Sequence, residues 1–189
     1  MKLFYYTVIA AVTLSLLLII SPLSPRFSPA AKEYGRPVQE YRVTAVHDGD
    51  TVSIRARSFA GIPVKLERVR LIGVDAPELE QEPWGRRSKR QLKKLISESN
   101  WIVRVEFDVE RRDRYGRLLA YLWGRNGRLI NEELIETGYA LSYTIPPNVK
   151  YAEKLTAARA RAEAKKAGLW GTGGLRELPG EWRKQHPRS

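Results

Sequence analysis

VKLERVRLIGVDAPE (residues 64–78) passes from mixed to nearly continuous apolar character, with Val69, Leu71, Ile72 and Val74 ahead of Pro77. A run of this kind bounded by turn residues predicts a long β segment from Val64 to Val74, closed by Pro77. One residue breaks the pattern. Arg70 sits inside the apolar stretch, where an unpaired charge would be costly, and two carboxylates, Asp75 and Glu78, stand at the exit. On these residues alone, a buried ion pair closing the end of a barrel explains them as well as chemistry does.

Working outward, Tyr41 to Val46 is strand-like and Asp48-Gly49-Asp50 turns the chain. Thr51 to Arg57 then alternates, Val52 and Ile54 against Thr51, Ser53 and Arg55, as a half-buried strand does. Gly61 and Pro63 mark the turn into the 64–74 segment. Downstream the strand period gives way to a helical one. Trp84, Ser88, Leu92, Leu95 and Ile96 share one face of a helix predicted over Trp84 to Ser97, with Arg86, Lys89, Arg90, Lys93 and Lys94 off it and Asn100 as its stop. Ile102 to Phe107 and Leu118 to Trp123 read as strands on either side of a loop at Asp113 to Gly116, and Asn126-Gly127 as a hairpin turn. Asn131 is placed to cap a short helix over Glu132 to Thr137, ended by Gly138. Tyr151 to Ala167 is a further helix stopped by Gly168, and the chain from Leu169 onward reads as ordered only in part. Strands broken by a helix, with two more helices late, predict an α+β domain. A five-stranded OB-type barrel with three helices fits both the count and the order, and barrels of that type often bind single-stranded nucleic acid.

With 189 residues there is room for one ordinary domain and appendages. Lys2 is followed by Leu3 to Ile20 without a charge, longer than a usual secretory apolar core and close to the length of a membrane span. Residues 1–20 are therefore a signal peptide or an N-terminal membrane anchor, the uncleaved anchor being favoured. In both cases the rest of the chain is exported, held at the cell membrane with the domain outside or secreted. Residues 21–40 are proline-rich and lack apolar periodicity, as a linker does. The folded domain is expected over 41–170, followed by a tail at 171–189.

The formal net charge is +12, and the first forty residues hold four basic and two acidic side chains, which leaves 29 basic against 19 acidic for residues 41–189. The excess belongs to the folded part and favours polyanions, nucleic acid before anionic lipid. The absence of cysteine excludes disulfide scaffolds, thiolate zinc sites and cysteine nucleophiles. With only His47 and His186, imidazole-rich metal sites are excluded too. A metal here must be held by oxygens, which points to calcium or magnesium. His47 reads as structural, and Trp84, Trp101 and Trp123 as core.

Three short segments place polar residues where the pattern does not ask for them: Asp48-Gly49-Asp50-Thr51, Arg70 to Glu78, and Asp113-Arg114-Tyr115-Gly116-Arg117. Each alone has an ordinary reading as a turn, an ion pair or a solvated loop. Together they supply what phosphodiester hydrolysis requires. A phosphate under attack becomes five-coordinate and more negative, so fixed positive charge must stand where that charge develops. Arginines give planar, bidentate donation to phosphate oxygens. A hard cation on carboxylates neutralises another oxygen, and a carboxylate free of the metal can deprotonate water.

In these motifs, and in LINEELIETGYA at 129–140, residues 41–170 resemble the staphylococcal (micrococcal) nuclease family, the thermonucleases. The resemblance implies a calcium-dependent nuclease acting on DNA and RNA and leaving 3′-phosphate ends. It implies Asp50 and Asp75 as metal carboxylates, with Ala76 where the family uses a main-chain carbonyl. Glu78 matches the general base, and Arg70 and Arg117 the phosphate clamps. Arg114 and Tyr115 match contacts to a terminal phosphate, and Tyr143 a stacking tyrosine if one residue is deleted just before it. Two departures stand out: Ile145 replaces a second binding-site tyrosine, and the loop from Leu79 to Trp84 is shorter than in the family's best-known member. The expected partners are DNA and RNA substrate, and the membrane if residues 1–20 stay attached. No protein partner is expected, and the chain is expected to be a monomer. The alternatives are a non-catalytic nucleic-acid- or protein-binding barrel of the same fold, and a basic domain held at an anionic membrane surface.

Overall fold

Beginning at Glu40, β1 (Glu40–Val46) and β2 (Thr51–Ala56) pair antiparallel around the predicted turn, with a register shift between Val43 and Ala45. The Asp48 side chain accepts the Asp50 N–H at 2.9 Å, and the His47 N–H bonds the Thr51 carbonyl at 2.9 Å. A side chain bonding backbone two residues ahead is what makes Asp a turn former. The computed structural model describes residues 40–56 and 65–187, all within the unit Val38–Ser189. The apolar segment expected at 1–20 and, but for Glu40, the linker at 21–40 lie outside the described residues. No helix among those residues is long and apolar enough to cross a membrane.

β2 pairs antiparallel with β3 (Leu66–Leu71), and β3 runs parallel to β6 (Leu118–Trp123). β6 pairs antiparallel with β5 (Ile102–Glu106), which returns to β1 and closes the barrel in the order β1-β2-β3-β6-β5. This is the expected α+β barrel. The parallel pair needs a crossover, and that connection carries α1 (Trp84–Glu98) and β5.

The single long segment expected from Val64 to Val74 is instead two strands. After β3 the chain bends at Ile72-Gly73, then forms β4 (Val74–Asp75) against β7 (Leu141–Ser142) in a separate two-stranded sheet. Gly73 has φ +73°, open to glycine at no cost, and a Cβ there would run into the Leu155 side chain. Apolar continuity across Ile72 and Val74 hides this break, because both residues are buried on either side of it.

α1 buries Trp84, Gly85, Ser88, Leu92, Leu95 and Ile96, the face predicted from the sequence. α2 (Ile130–Glu136) and α3 (Ala152–Ala164) follow. Asn131 does not cap α2. It is fully buried inside the helix, where its Oδ1 accepts the Leu122 N–H at 2.9 Å and its Nδ2 donates to the Ile72 carbonyl at 2.8 Å. It ties β6 to the β3–β4 bend. Asn126-Gly127 forms a turn that leads from β6 into α2, with only an isolated bridge between Trp123 and Leu129. Barrel and helices share one apolar cluster that includes Val52, Val69, Leu71, Leu92, Ile96, Val103, Leu122, Leu134 and Leu155. Burying each such side chain contributes about 1.5–3 kcal/mol.

Beyond residue 170 lies a fourth helix, α4 (Pro179–Gln185), where the sequence offered only a tail. Its approach is fastened by a second apolar cluster of Trp84, Leu141 and Leu169, with Tyr139, Trp170 and Leu175 packed against it.

Candidate active site

The β2–β3 register sets Thr51 opposite Arg70, so the turn before β2 and the last residues of β3 share one end of the barrel. The Asp50 carbonyl accepts the Leu71 N–H at 2.9 Å, which fixes the turn to β3. Asp50 itself is buried. Its Oδ1 accepts the Thr51 hydroxyl at 3.0 Å and its Oδ2 the Ala76 N–H at 3.0 Å. Gly49 permits this closeness, since a Cβ there would meet the Ala76 Cβ at 2.5 Å. Asp75 is placed by the β4–β7 pairing, opposite Leu141. Glu78 follows on a turn in which its N–H donates to Gln81 Oε1 at 2.9 Å and its carbonyl accepts the Gln81 N–H at 2.9 Å.

These residues form an alternating row of charge. Arg70 Nη1 is 2.6 Å from Asp50 Oδ2, and its Nη2 is 3.6 Å from Asp75 Oδ1. Arg70 thus sits between two carboxylates, with its Nη1 held tightly by Asp50. Arg183 of α4 continues the row. Its Nη2 donates to Asp75 Oδ1 at 3.0 Å and Oδ2 at 3.2 Å, and its Nη1 to Glu78 Oε1 at 3.0 Å. The sequence reading did not find Arg183. Its only signals were a proline at the first helical position and a basic last turn, in a helix too short to show a period.

Burial sets the electrostatics. It pushes the Asp50 carboxyl up to about 6 against the opposing pull of Arg70. Asp75 is also raised by burial, with Arg183 and Arg70 working the other way. Burial opposes the charge on Arg183, but bonds to Glu78 and Asp75 hold its guanidinium above its usual value. Two buried carboxylates in contact with cations, with no thiol or free imidazole beside them, are a hard oxygen donor set. His47 is committed elsewhere, its Nε2 2.7 Å from Ser53 Oγ. Among the described residues no three His, Asp or Glu side chains gather as a metal-holding group. Two carboxylates and a neighbouring main-chain carbonyl would still suit a calcium ion whose remaining positions are filled by water or substrate.

Arg117 stands apart from this row. It immediately precedes β6, and extending the register that sets Arg70 beside Leu119 brings position 117, two residues earlier, level with Arg68. Its Nε donates to Asp113 Oδ2 at 2.7 Å, while Asp113 Oδ1 accepts the N–H groups of Tyr115 and Arg117 at 2.9 and 3.0 Å. Tyr115 is exposed, with the guanidinium of Arg114 4.8 Å and that of Arg117 5.5 Å from its ring centre. Tyr143 is exposed too, its N–H bonded to the Gly73 carbonyl at 3.0 Å, beside the strand that carries Asp75. The structure thus joins Asp50, Arg70, Asp75 and Ala76 directly, links Glu78 to Asp75 through Arg183, and leaves Arg114, Tyr115, Arg117 and Tyr143 on neighbouring loops. Two hollows of the surface lie along α1, one lined by Leu79, Glu80, Glu82, Arg86, Lys89 and Arg90. That hollow borders the Glu78 turn but holds none of the row, and the ion-paired carboxylates mark the chemistry better than concavity does.

Comparison with known proteins bears on what this end of the barrel is for. A sequence model described as staphylococcal nuclease homologue matches residues 68–172. The thermonuclease of Staphylococcus hyicus is 34% identical over 137 residues, 70% of this chain and 76% of that protein. The chain belongs to the staphylococcal nuclease family. The thermonuclease of Staphylococcus intermedius is 36% identical over the same shares, and endonuclease YncB of Bacillus subtilis 32% identical over 67% of this chain and 59% of its own length. This family member is a nuclease, an enzyme that hydrolyses ester bonds. Asp50 lies ahead of the stretch matched by the family model, so its place rests on the geometry above.

Proposed function

We propose that this nuclease cleaves both DNA and RNA with the help of calcium, leaving 3′-phosphate ends. The observation that carries the proposal is the Arg70 guanidinium set between the buried carboxylates Asp50 and Asp75, with Glu78 linked to Asp75 through Arg183. Asp50, Asp75 and the Ala76 carbonyl would hold the ion, which would supply positive charge to the phosphate. Glu78 accepts the proton of the attacking water through a carboxylate oxygen. Arg70 and Arg117 donate to the phosphorus-bound oxygens as their charge rises, where such donors are worth the most. Arg114 and Tyr115 hold a terminal phosphate, and Tyr143 stacks on a base. The domain acts as a monomer outside the cytoplasm, carried there by residues 1–20, and N-terminal sequencing of the exported protein tests whether that segment remains.

The deciding experiment is a gel assay of the chain on single- and double-stranded DNA and on RNA, with calcium, magnesium or chelator, for wild type and Glu78→Gln. Cleavage by the wild type with calcium alone, abolished by chelator and by Glu78→Gln, is the expected result. Intact nucleic acid in every lane would leave the non-catalytic barrel as the better reading.

A further inference from the structure

The contacts of Arg183 have no part in the reaction described above, and they fall on the two carboxylates that the reaction most needs free. Asp75 is 7% exposed at its side chain and Glu78 14%, and the Arg183 guanidinium spans both. The Arg183 guanidinium thereby meets negative charge on Asp75 and Glu78 that a divalent cation would otherwise help to balance.

The anchoring of the segment divides in two. Its first part is fixed: Leu169 is buried with Trp84 and Leu141, Trp84 Nε1 donates to the Gly173 carbonyl at 3.3 Å, and Gln81 Nε2 donates to the Glu177 carbonyl at 3.1 Å. Its second part, α4, is seven residues long and buries only Pro179. Helices this short have little stability of their own and depend on packing. The ion pairs of Arg183 are therefore the main attachment of α4 to the domain, on a tether that ends at the Gln81 turn.

We infer that α4 is a built-in competitor for the metal: Arg183 pairs with Asp75 and Glu78, and calcium must displace it from them. The inference rests on reading Asp75 as a metal carboxylate and Glu78 as the base. Occupation of the site is then a choice between a tethered guanidinium and a free ion, and local calcium sets the outcome.

Calorimetric titration of calcium into the full chain tests this with wild type, Arg183→Ala, Arg183→Gln and Lys184→Ala. Arg183→Ala and Arg183→Gln are expected to bind calcium roughly five- to tenfold more tightly, as expected for the loss of a competing charge-assisted hydrogen bond. Lys184→Ala removes the same formal charge from an exposed neighbour and is expected to match wild type. Unchanged or weaker binding in the Arg183 variants, or an equal gain in Lys184→Ala, would overturn the competitor. No calcium binding by any of the four, with all of them folded by circular dichroism, would instead remove the metal reading, and the competitor with it.

Discussion

The floor and the rim of this site are built differently. Asp50 and Asp75, 7% and 5% exposed, are placed by main-chain pairing between strands and by the backbone bonds of Ala76 and Leu71. Tyr115 and Tyr143, 68% and 53% exposed, stand on loops, and the 113–117 loop is shaped by side chains, Asp113 and the Arg112 guanidinium that donates to the Gly116 carbonyl at 2.7 Å. The barrel thus fixes the groups that handle charge, where a small displacement costs most. The loops carry the groups proposed above to meet substrate, where tolerance is useful.

The largest effect should come from the floor. Glu78→Ser is expected to lower kcat by about 10²–10³, or about 3–4 kcal/mol, with little change in melting temperature. Arg117→Gly should match it if the rim arginine joins the transition state, and a far smaller loss would confine catalysis to the floor. Asn131→Ala attacks the scaffold beneath both regions. It leaves the Leu122 N–H and Ile72 carbonyl unpaired in the core and should cost about 2 kcal/mol of stability in urea unfolding. Asp113→Ala frees Arg117 without touching the floor, and kcat/KM should fall about tenfold at nearly unchanged stability. Asp113→Asn, which keeps an accepting oxygen, should recover part of that loss. The smallest change is expected for Tyr143→Ala, a rise in KM of roughly fivefold, or about 1 kcal/mol, with kcat retained. A matching fall in kcat would place Tyr143 with the floor.

The same contrast explains what was legible in the sequence. The strands came from local alternation, and the floor residues from polar groups set inside that alternation. Both signals live within a few residues of chain. The break at Gly73 was hidden because buried residues flank it on both sides. Asn131 reads locally as a cap, and only the tertiary fold shows its amide bridging Leu122 and Ile72. Arg183 was the hardest to see. It meets Asp75 across 108 residues of chain, from a helix too short to announce itself by periodicity.

The parallel seam between β3 and β6 has a consequence for biosynthesis. Residues 118–123 must be made before the barrel can close, and the Arg117 loop arrives immediately ahead of them. A nascent chain halted earlier holds Asp50, Arg70 and Glu78 on unclosed strands, with nothing to fix their mutual distances. The site is thus not assembled until most of the polypeptide has been made.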